Sequence, residues 1–282
     1  TGGLLITALD EQAPAQRAGL RAGDTILKID GARVSSVQDA SLRLSSGKSV
    51  CLSVRRGEKQ AEFYLTPEKT EAGYRLGISV RDNISGIGTI TFFDPETGVY
   101  GALGHGVAGL TSAQPLAISG GVLVPSSVTD VKKGVRGTPG ELHGSFDVAD
   151  PLGSVSQNEP HGIFGKLTAL PQSESVPVAD ASQIHTGAAV ILANVDGKET
   201  REYCVRIDKL YPQAENGRNL LLTVTDERLL AVTGGIVQGM SGSPILQDGR
   251  LIGAVTHVLV NRPEQGYGIF LQNMLTQCEV YQ

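Results

Sequence analysis

The sequence lacks any long apolar run. A membrane-spanning helix needs roughly 18 to 20 consecutive apolar residues, and none of the 282 residues belongs to such a run. A secretory signal peptide also needs an apolar segment behind a basic start, which is missing. We therefore expect neither a span nor a signal peptide within these residues. Because the chain begins at Thr1, we expect an upstream targeting segment to have been cut off.

Cysteine is scarce, and no metal-binding spacing occurs. The three cysteines lie far apart without a Cys-x-x-Cys pair, which argues against a zinc site or a redox pair. They are Cys51, Cys204 and Cys278. We expect small buried side chains, with one disulfide as the alternative. Three histidines (His143, His161 and His185) form no His-Glu-x-x-His pattern and are interpreted as structural or solvated. The sequence thus predicts no metal and no cofactor.

A basic surface for nucleic acid is also missing. The chain has 24 basic and 29 acidic residues, a net charge of -5, and no stripe of Lys and Arg interleaved with aromatic residues. Tryptophan is absent, whereas glycine occurs 36 times. Short β-branched runs alternate with Gly, Pro, Asn and Asp, which is typical of many short strands joined by tight turns. The sequence therefore predicts a mainly β protein, long enough for two domains.

One serine is flanked by glycines in a short motif. Residues 238–245 read Gln-Gly-Met-Ser-Gly-Ser-Pro-Ile and lie between apolar runs at 229–237 and 251–260. Glycines let the backbone turn tightly, so that neighbouring N–H groups converge near the Ser241 hydroxyl. This suits a nucleophile, with Gly239 and Ser241 N–H groups as its oxyanion hole. A glycine-rich turn without chemistry is the alternative. The motif resembles the active-serine segment of chymotrypsin-like peptidases, which assigns Ser241 rather than Ser243 as the nucleophile.

The sequence signals for a general base and an acid to accompany Ser241 are less specific than the serine motif. His105 follows a predicted strand and stands between two glycines, which suits a general base, although a polar loop histidine is the alternative. Asp226 follows an apolar run 15 residues before Ser241 and is the preferred acid to orient the imidazole. The chain offers further acids at Asp147, Asp150, Asp180, Asp196, Asp208 and Asp248.

Residues 1–66 form a self-contained pattern of strands and short helices. Pro-Ala at 14–15 and Ala-Gly-Leu-Arg-Ala-Gly-Asp-Thr-Ile at 18–26 resemble the bacterial type of PDZ domain. PDZ domains add an extended peptide between a strand and a helix. The resemblance implies a groove formed by Leu4, Leu5, Ile6, Val37 and Leu44. Only Thr-Gly-Gly at 1–3 remains of the family's carboxylate-binding loop, so a PDZ fold that only packs or gates is the alternative.

The remaining chain divides at a polar, proline-started stretch. Residues 67–74 are predicted as a linker, and residues 75–282 as a serine peptidase domain. Its alternating runs predict a double β-barrel of the trypsin and chymotrypsin type, with barrels at about 75–180 and 181–282. The strand over Thr256, His257 and Val258 is expected to border the substrate. His257 is interpreted as a wall residue and is the second candidate for the base.

Long motifs carry a closer resemblance. They are Tyr-Gly-Ala-Leu-Gly-His at 100–105, Gly-Ile-Val-Gln-Gly-Met-Ser-Gly-Ser-Pro-Ile at 235–245 and Ile-Gly-Ala-Val-Thr-His-Val at 252–258, followed by Gly-Tyr-Gly-Ile at 266–269. With the PDZ-like segment, they resemble the stage IV sporulation protein B (SpoIVB) serine peptidases over nearly the whole chain. Position by position, the family's catalytic residues fall on Ser241, His105 and Asp226.

That resemblance implies a serine endopeptidase of sporulation signalling. Members are made in the forespore and exported to the space between the two surrounding membranes. There they cleave themselves and a membrane-associated regulator, which leads to processing of a sigma factor precursor. The family also has an N-terminal membrane-spanning segment that these residues lack. The alternative is a catalytically idle, PDZ-containing scaffold or peptide-binding module, although such a protein has no chemical need for both Ser241 and His105.

Overall fold

The computed structural model describes residues 2–57, 59–71, 73–108, 115–116, 118, 120–197 and 199–279. Within them, 21 strands accompany four α-helices and one 3-10 helix, which confirms the prediction of a mainly β chain. The chain divides into two compact units, residues 1–85 with 108–120 and residues 86–107 with 121–282. None of the helices in these described ranges is long and apolar enough to cross a membrane.

The first unit has a sheet of six strands and two helices. Its elements are β1 (Leu4–Leu9), α1 (Pro14–Arg17), β2 (Thr25–Ile29), β3 (Ala32–Arg33), α2 (Val37–Leu44), β4 (Val50–Arg56), β5 (Lys59–Leu65), β6 (Glu68–Thr70), β7 (Gly73–Arg75) and β8 (Ile78–Arg81). The strand order is β5-β4-β2-β1-β8, with β3 paired to β2, while β6 and β7 form a separate ladder.

Local sequence signals explain these elements. Pro14 begins α1, where its missing N–H costs nothing. The Ser36 side chain caps α2 by accepting the Asp39 N–H at 3.1 Å. Strand periodicity then directs alternate apolar side chains inward, and those of Ile26 and Leu52 are almost fully buried. The unit therefore has its own hydrophobic core.

The predicted linker is structured. Residues 67–74 contain β6 and enter β7, although Ala72 lies outside the described residues. Strand β8 then pairs antiparallel with β1, with Leu5 opposite Arg81 and Ile6 opposite Val80. Without β8, this edge of β1 would leave its backbone groups unpaired. The compact unit consequently extends to residue 85 rather than 66.

The second unit contains the remaining elements. They are β9 (Ile90–Phe93), β10 (Val99–Ala102), β11 (Gly121–Leu123), β12 (Ser126–Lys132), β13 (Glu141–Phe146), β14 (Gly153–Glu159), β15 (Gly162–Leu167), the 3-10 helix Ala181–Gln183, β16 (Gly187–Ala193), β17 (Arg201–Leu210), β18 (Leu220–Val224), α3 (Glu227–Thr233), β19 (Pro244–Gln247), β20 (Arg250–Leu259), β21 (Arg262–Phe270) and α4 (Leu271–Glu279).

Six of these strands close into a barrel, in the order β16-β17-β18-β21-β20-β19. Inward-facing apolar residues fill it, and Ile191, Leu222, Ile245 and Val255 are fully buried. Each strand alternates between inner and outer positions, as a filled small barrel requires. The barrel lies where the sequence predicts one, within residues 181–282.

The other half of this unit, where the sequence predicts the first barrel at about 75–180, contains a sheet and a separate hairpin. Across its described residues, β11-β14-β15-β10-β9 form a five-stranded sheet with no closing pair, and β12 and β13 pair only with each other. A barrel wall needs an apolar inner face. Most residues of β12 and β13 are exposed and polar. The apolar face of this hairpin consists of Leu142, Val128 and Val131, which pack against the core of the closed barrel.

Candidate active site

Ser241 lies on two consecutive tight turns between α3 and β19. Met240 N–H donates to the Val237 carbonyl at 3.1 Å, and Ser243 N–H donates to the Met240 carbonyl at 3.0 Å. Gly239 and Gly242, on either side, have φ angles of +99° and +90°. Glycine adopts these angles without the steric cost that a Cβ imposes. The glycines predicted from the motif therefore create the turn that presents the serine.

His105 is delivered by a sharp bend at the end of β10. Leu103 and Gly104 have φ angles of +68° and +69°, and a non-glycine residue in this region costs about 1 to 2 kcal/mol. A Cβ on Gly104 would approach the Thr256 methyl group to 2.8 Å. The bend brings the His105 Nε2 within 2.9 Å of the Ser241 Oγ. The structure thus unites the predicted base and nucleophile, which are 136 residues apart.

Hydrogen bonds select the tautomer of His105. Its Nδ1 lies 3.0 Å from the Gly106 carbonyl oxygen, which can only accept a hydrogen bond. Nδ1 therefore carries the proton, and Nε2 is left to accept the proton of Ser241. The Ser241 hydroxyl also lies 3.0 Å from the Thr256 carbonyl, an alternative acceptor for the same proton. The histidine is thus in the form that a general base requires.

Asp226 does not contact this pair. Its carboxylate accepts the backbone N–H groups of Arg228 at 3.0 Å and Cys204 at 3.2 Å, and it pairs with the Arg228 guanidinium at 2.8 Å. The hydrogen bond from Arg228 holds the pKa of Asp226 well below its usual range, although burial opposes this. Asp226 therefore caps α3. The sequence prediction that it orients His105 is corrected.

The register of the barrel explains this correction. Tyr267 of β21 has His257 of β20 opposite it on one side and Leu221 of β18 on the other. His257 lies beside His105, so Leu221 marks the level of the site on β18. Asp226 follows Leu221 by five residues, which at about 3.3 Å per residue places it roughly 16 Å further along the strand direction. The apolar run before Asp226 correctly indicated that a strand ends there. That end of β18 is the one far from His105 and Ser241.

An Asp226→Asn variant should separate these two roles. We expect kcat to change less than tenfold, whereas loss of a triad acid costs about 10⁴-fold. Asparagine keeps a cap acceptor but loses the charge that pairs with Arg228, which should lower the free energy of unfolding by about 1 kcal/mol at pH 7. Because the folded pKa of Asp226 is depressed, its stabilisation is present above the unfolded pKa of about 3.9 and is lost as pH falls through the folded pKa. Urea unfolding at pH 7 and pH 3 and steady-state kinetics check this.

The predicted oxyanion donors remain available. Within the described residues, neither Gly239 N–H nor Ser241 N–H donates to another group, whereas Met240, Gly242 and Ser243 all donate to carbonyls. Two unpaired N–H groups on one turn can receive a developing negative charge. The assignment of Gly239 and Ser241 as the oxyanion hole stays a prediction that this geometry supports.

The strand predicted to border the substrate lies against the pair. Thr256 is buried, and its carbonyl accepts from Ser241. The His257 ring lies 5.1 Å from that of His105. Burial lowers the pKa of His257 to about 4, with smaller effects from His105 and Arg218, so this ring is neutral near pH 7. It lies beside the base rather than on Ser241. Val258, half-buried, follows on the same strand.

Sequence reasoning missed the residues that hold His105 in place. The Asn158 side chain accepts the Val107 N–H at 2.7 Å and donates to the Val107 carbonyl at 2.8 Å, which pins the loop after His105. Thr89 N–H donates to the Ser241 carbonyl at 2.9 Å. Both contacts join distant parts of the chain, the first through a side-chain amide and the second through backbone atoms alone. No motif in the sequence signals them.

The PDZ-like unit contains a groove of about 290 Å³. Leu4, Val37 and Leu44 line it as predicted, but Leu5 and Ile6 do not. Strand β8 pairs with the edge of β1 where a peptide was expected, and its Ile78 and Val80 line the groove instead. The predicted groove is therefore corrected: it lies between β8 and α2.

No cluster of three or more metal-binding side chains occurs in the ranges described above. In the described chain none of the three cysteines forms a disulfide; Cys204 is exposed, and Cys51 and Cys278 are half-buried. The expectation of buried thiols is therefore wrong for Cys204, whose side chain lies on the outer face of β17.

Comparisons with known proteins agree with these features. A family model described as SpoIVB peptidase S55 matches residues 72–275, and a PDZ domain model matches residues 5–56, which confirms the resemblance stated from the motifs. Serine protease HTRA2, mitochondrial, of Bos taurus is 38% identical over 69 residues, or 24% of this chain. The chain spans only 15% of that relative's length.

Solved structures resemble parts of the chain. The PDZ domain of the SdrC-like protein of Listeria monocytogenes is 25% identical with a TM-score of 0.27, covering 29% of this chain and 90% of that one. The active form of the Rv3671c protease from M. tuberculosis is 17% identical with a TM-score of 0.36, covering 57% of this chain and 78% of that one.

Proposed function

Because the chain belongs to the SpoIVB peptidase S55 family, we propose that it is a serine endopeptidase in which Ser241 is the nucleophile and His105 the general base. The observation that carries the proposal is the 2.9 Å hydrogen bond between His105 Nε2 and Ser241 Oγ. A serine hydroxyl is a weak nucleophile at neutral pH unless an adjacent base takes its proton. The neutral tautomer of His105 supplies that base.

The reaction proceeds in two halves. Ser241 Oγ attacks the scissile carbonyl carbon while its proton moves to His105 Nε2, and the oxygen of the tetrahedral intermediate binds Gly239 and Ser241 N–H. His105 then gives the proton to the leaving amine, which breaks the peptide bond and leaves an acyl ester on Ser241. Water attacks that ester with His105 again as base. In this proposal the Gly106 carbonyl, rather than Asp226, orients the imidazole through Nδ1–H.

The family membership supports a finer biological proposal. The peptidase acts in sporulation signalling, in the space between the mother-cell and forespore membranes. Its substrates are a second copy of itself and the extracytoplasmic part of a membrane-associated regulator, whose cleavage leads to sigma factor precursor processing. Incubating wild-type chain with tagged Ser241→Ala chain tests the self-cleavage. Fragments of the tagged chain support it, and an intact tagged chain beside an enzyme that hydrolyses other proteins contradicts it.

Active-site labelling distinguishes the enzyme from an idle scaffold. An aryl sulfonyl fluoride should add its sulfonyl group to Ser241 of the wild-type chain, because sulfonylation needs a serine activated by a base. Peptide mapping by mass spectrometry locates the label. The neighbouring hydroxyl of Ser243 is buried without a hydrogen-bond partner in the described chain and should remain unmodified. Absence of both label and protein hydrolysis would favour the scaffold.

The PDZ-like groove is proposed to bind the free carboxyl terminus of an extended peptide. The carbonyls of Leu76 and Gly77 accept from Ala15 and Asp10 N–H, each at 3.0 Å. In a trans peptide the N–H points opposite to the carbonyl, so the N–H groups of Gly77 and Ile78 point away from these partners. Adjacent N–H groups of this kind bind anions. Strand β8 thus supplies the carboxylate loop that residues 1–3 lack.

A charge placed in the groove should prevent this binding. We expect Val37→Glu, on the groove wall, to weaken the Kd for a hexapeptide ending in a free valine carboxylate at least tenfold, because like charges repel. Leu42→Glu adds the same charge to the same helix at a residue 73% exposed and outside the groove, so it is the matched control. Fluorescence polarisation measures both. An amide-capped peptide that binds as tightly as the free acid would contradict the carboxylate loop.

A further inference from the structure

Gln238, three residues before the nucleophile, is held by the hairpin β12–β13. Leu142 N–H donates to the Gln238 carbonyl at 2.8 Å, and Gln238 N–H donates to the Gly140 carbonyl at 2.9 Å. These bonds form an isolated parallel bridge between Glu141 and Gln238. The hairpin pairs with no other sheet in the part of the chain that the structure describes, so this bridge is its backbone connection to the serine loop.

The bridge determines where the Gly239 N–H points. Gln238 C=O and Gly239 N–H belong to one planar trans peptide, in which the two bonds are antiparallel. Since Leu142 binds the carbonyl on one side, the Gly239 N–H is directed to the other side. A rotated peptide would break the Leu142 bond and turn this N–H around. The orientation of one predicted oxyanion donor thus depends on a backbone group that is 97 residues earlier in the chain.

Side-chain packing keeps the hairpin strand in this position. Leu142 is only 5% exposed and packs into the barrel core with Val237 and Met240. A Cβ on Gly239 would come within 2.9 Å of the Leu142 Cβ, so strand and turn are in close contact. A Cβ on Gly140 would likewise approach a Val237 methyl group to 2.6 Å. Little space remains for the peptide to shift while the hairpin is in place.

The loop of the hairpin is anchored separately. Gly134 N–H donates to the Thr233 carbonyl at the end of α3 at 2.8 Å, and Gly137 N–H donates to the Val260 carbonyl at 2.9 Å. The hairpin is thus attached on both sides of the serine loop, although most of its own side chains are exposed. These hydrogen bonds, together with the packing of Leu142 on the barrel core, fix the position of the hairpin.

We propose that the hairpin β12–β13 is a positioning element of the oxyanion hole, and that the Leu142 N–H sets the orientation of the Gln238–Gly239 peptide. This inference rests on the proposed peptidase function. Leu142 itself touches no substrate. It acts through Gly239, whose N–H stabilises the negative charge of the tetrahedral intermediate. Removing the Leu142 N–H should therefore impair the transition state while leaving substrate binding and the Ser241–His105 pair intact.

Proline and alanine at position 142 form a matched pair of variants. Both lose the buried leucine side chain, but only Leu142→Pro loses the N–H. That N–H is directed to Gln238, so proline removes no hydrogen bond between β12 and β13. Loss of one oxyanion donor lowers kcat by about 10² to 10³-fold. We expect kcat of Leu142→Pro to fall by this factor relative to Leu142→Ala, with KM unchanged.

A transition-state analogue gives a second readout. A peptide boronic acid forms a tetrahedral adduct with the serine, so its affinity should fall in parallel with kcat, whereas the affinity for the product peptide should not. If Leu142→Pro does not fold, leucic acid at position 142 provides a second variant. It keeps the leucine side chain and replaces only the backbone N–H with oxygen. It should show the same loss in kcat relative to the wild type. Equal kcat and boronate affinity in the folded proline and alanine variants would overturn the proposal.

The two proposals fail in different ways. A wild-type chain without hydrolytic activity or a label on Ser241 would contradict the peptidase function itself. An active, labelled wild type whose N–H-deleted variant remains as active as its alanine or leucine counterpart would contradict only the positioning role of the hairpin.

Discussion

The Ser241→Ala variant is expected to lose peptide hydrolysis by about 10⁴ to 10⁶-fold in kcat, because no other group can form the acyl ester and only binding and oxyanion stabilisation remain. His105→Ala should lose a similar factor, since the hydroxyl at 2.9 Å then has no base. Steady-state kinetics on a peptide ester and on a protein substrate measure both. The double variant should be no worse than either single one, because the two residues act as one unit.

A control histidine makes this result specific. His185 Nε2 lies 2.9 Å from the Asp248 carboxylate, and this imidazole–carboxylate pair is exposed. Among the described hydrogen bonds, the His185 ring contacts only Thr186 and Asp248. His185→Ala should keep wild-type kcat/KM. A His105→Ala chain that hydrolyses substrate as fast as the His185→Ala chain would exclude His105 as the base and make His257 the candidate.

Gly242→Ala should have the second-largest effect, on folding and catalysis together. A Cβ here would overlap the Thr89 carbonyl oxygen and approach the Leu103 N to 2.6 Å. Leu103 lies two residues before His105, and Gly242 follows Ser241, so the added methyl pushes base and nucleophile apart. We expect a loss of about 2 to 5 kcal/mol in the free energy of unfolding and, because about 1 Å of misplacement costs roughly 10²-fold, at least that loss in kcat/KM.

The control for this variant is another glycine with a positive φ. Gly249 has φ of +72°, but nothing lies within 4 Å of a Cβ added there. Gly249→Ala should therefore cost only the backbone term of about 1 to 2 kcal/mol and leave kcat/KM unchanged. Urea unfolding and kinetics on both variants distinguish crowding from backbone conformation. Equal losses of stability and of kcat/KM in Gly242→Ala and Gly249→Ala would show that the close approach of residue 242 to Thr89 does not matter for either.

Local and periodic features were predictable from the sequence. Alternating apolar residues predicted five of the six strands of the barrel, all except β19, because side chains on a strand alternate between two faces. The glycines around Ser241 and His105 predicted exposed, sharply turned positions, because only glycine takes positive φ readily. The two residues that the structure brings into hydrogen-bond contact, Ser241 and His105, could therefore be named without coordinates. Their partners were predictable only when they belonged to the same motif.

Long-range pairing produced the differences. Asp226 was expected beside His105, but a strand has two ends and the sequence does not say which end faces the site. The segment at 67–74 was expected to be a linker, because short polar runs do not indicate that a later strand, β8, pairs with β1. In the same way, the few apolar residues of the hairpin β12–β13 do not indicate that its backbone binds Gln238.

The sequence by itself determined the mainly β class, the family, and the residue types that can carry out acyl transfer, because these depend on side-chain periodicity and on glycines within a few residues. Only the tertiary structure decided which backbone groups lie against them: the Gly106 carbonyl beside the imidazole, the Leu142 N–H on the Gln238 carbonyl, and β8 along β1. Each of these contacts is a hydrogen bond to a backbone group. Nearly every residue carries the same backbone donor and acceptor, so these partners leave no trace in the amino-acid sequence.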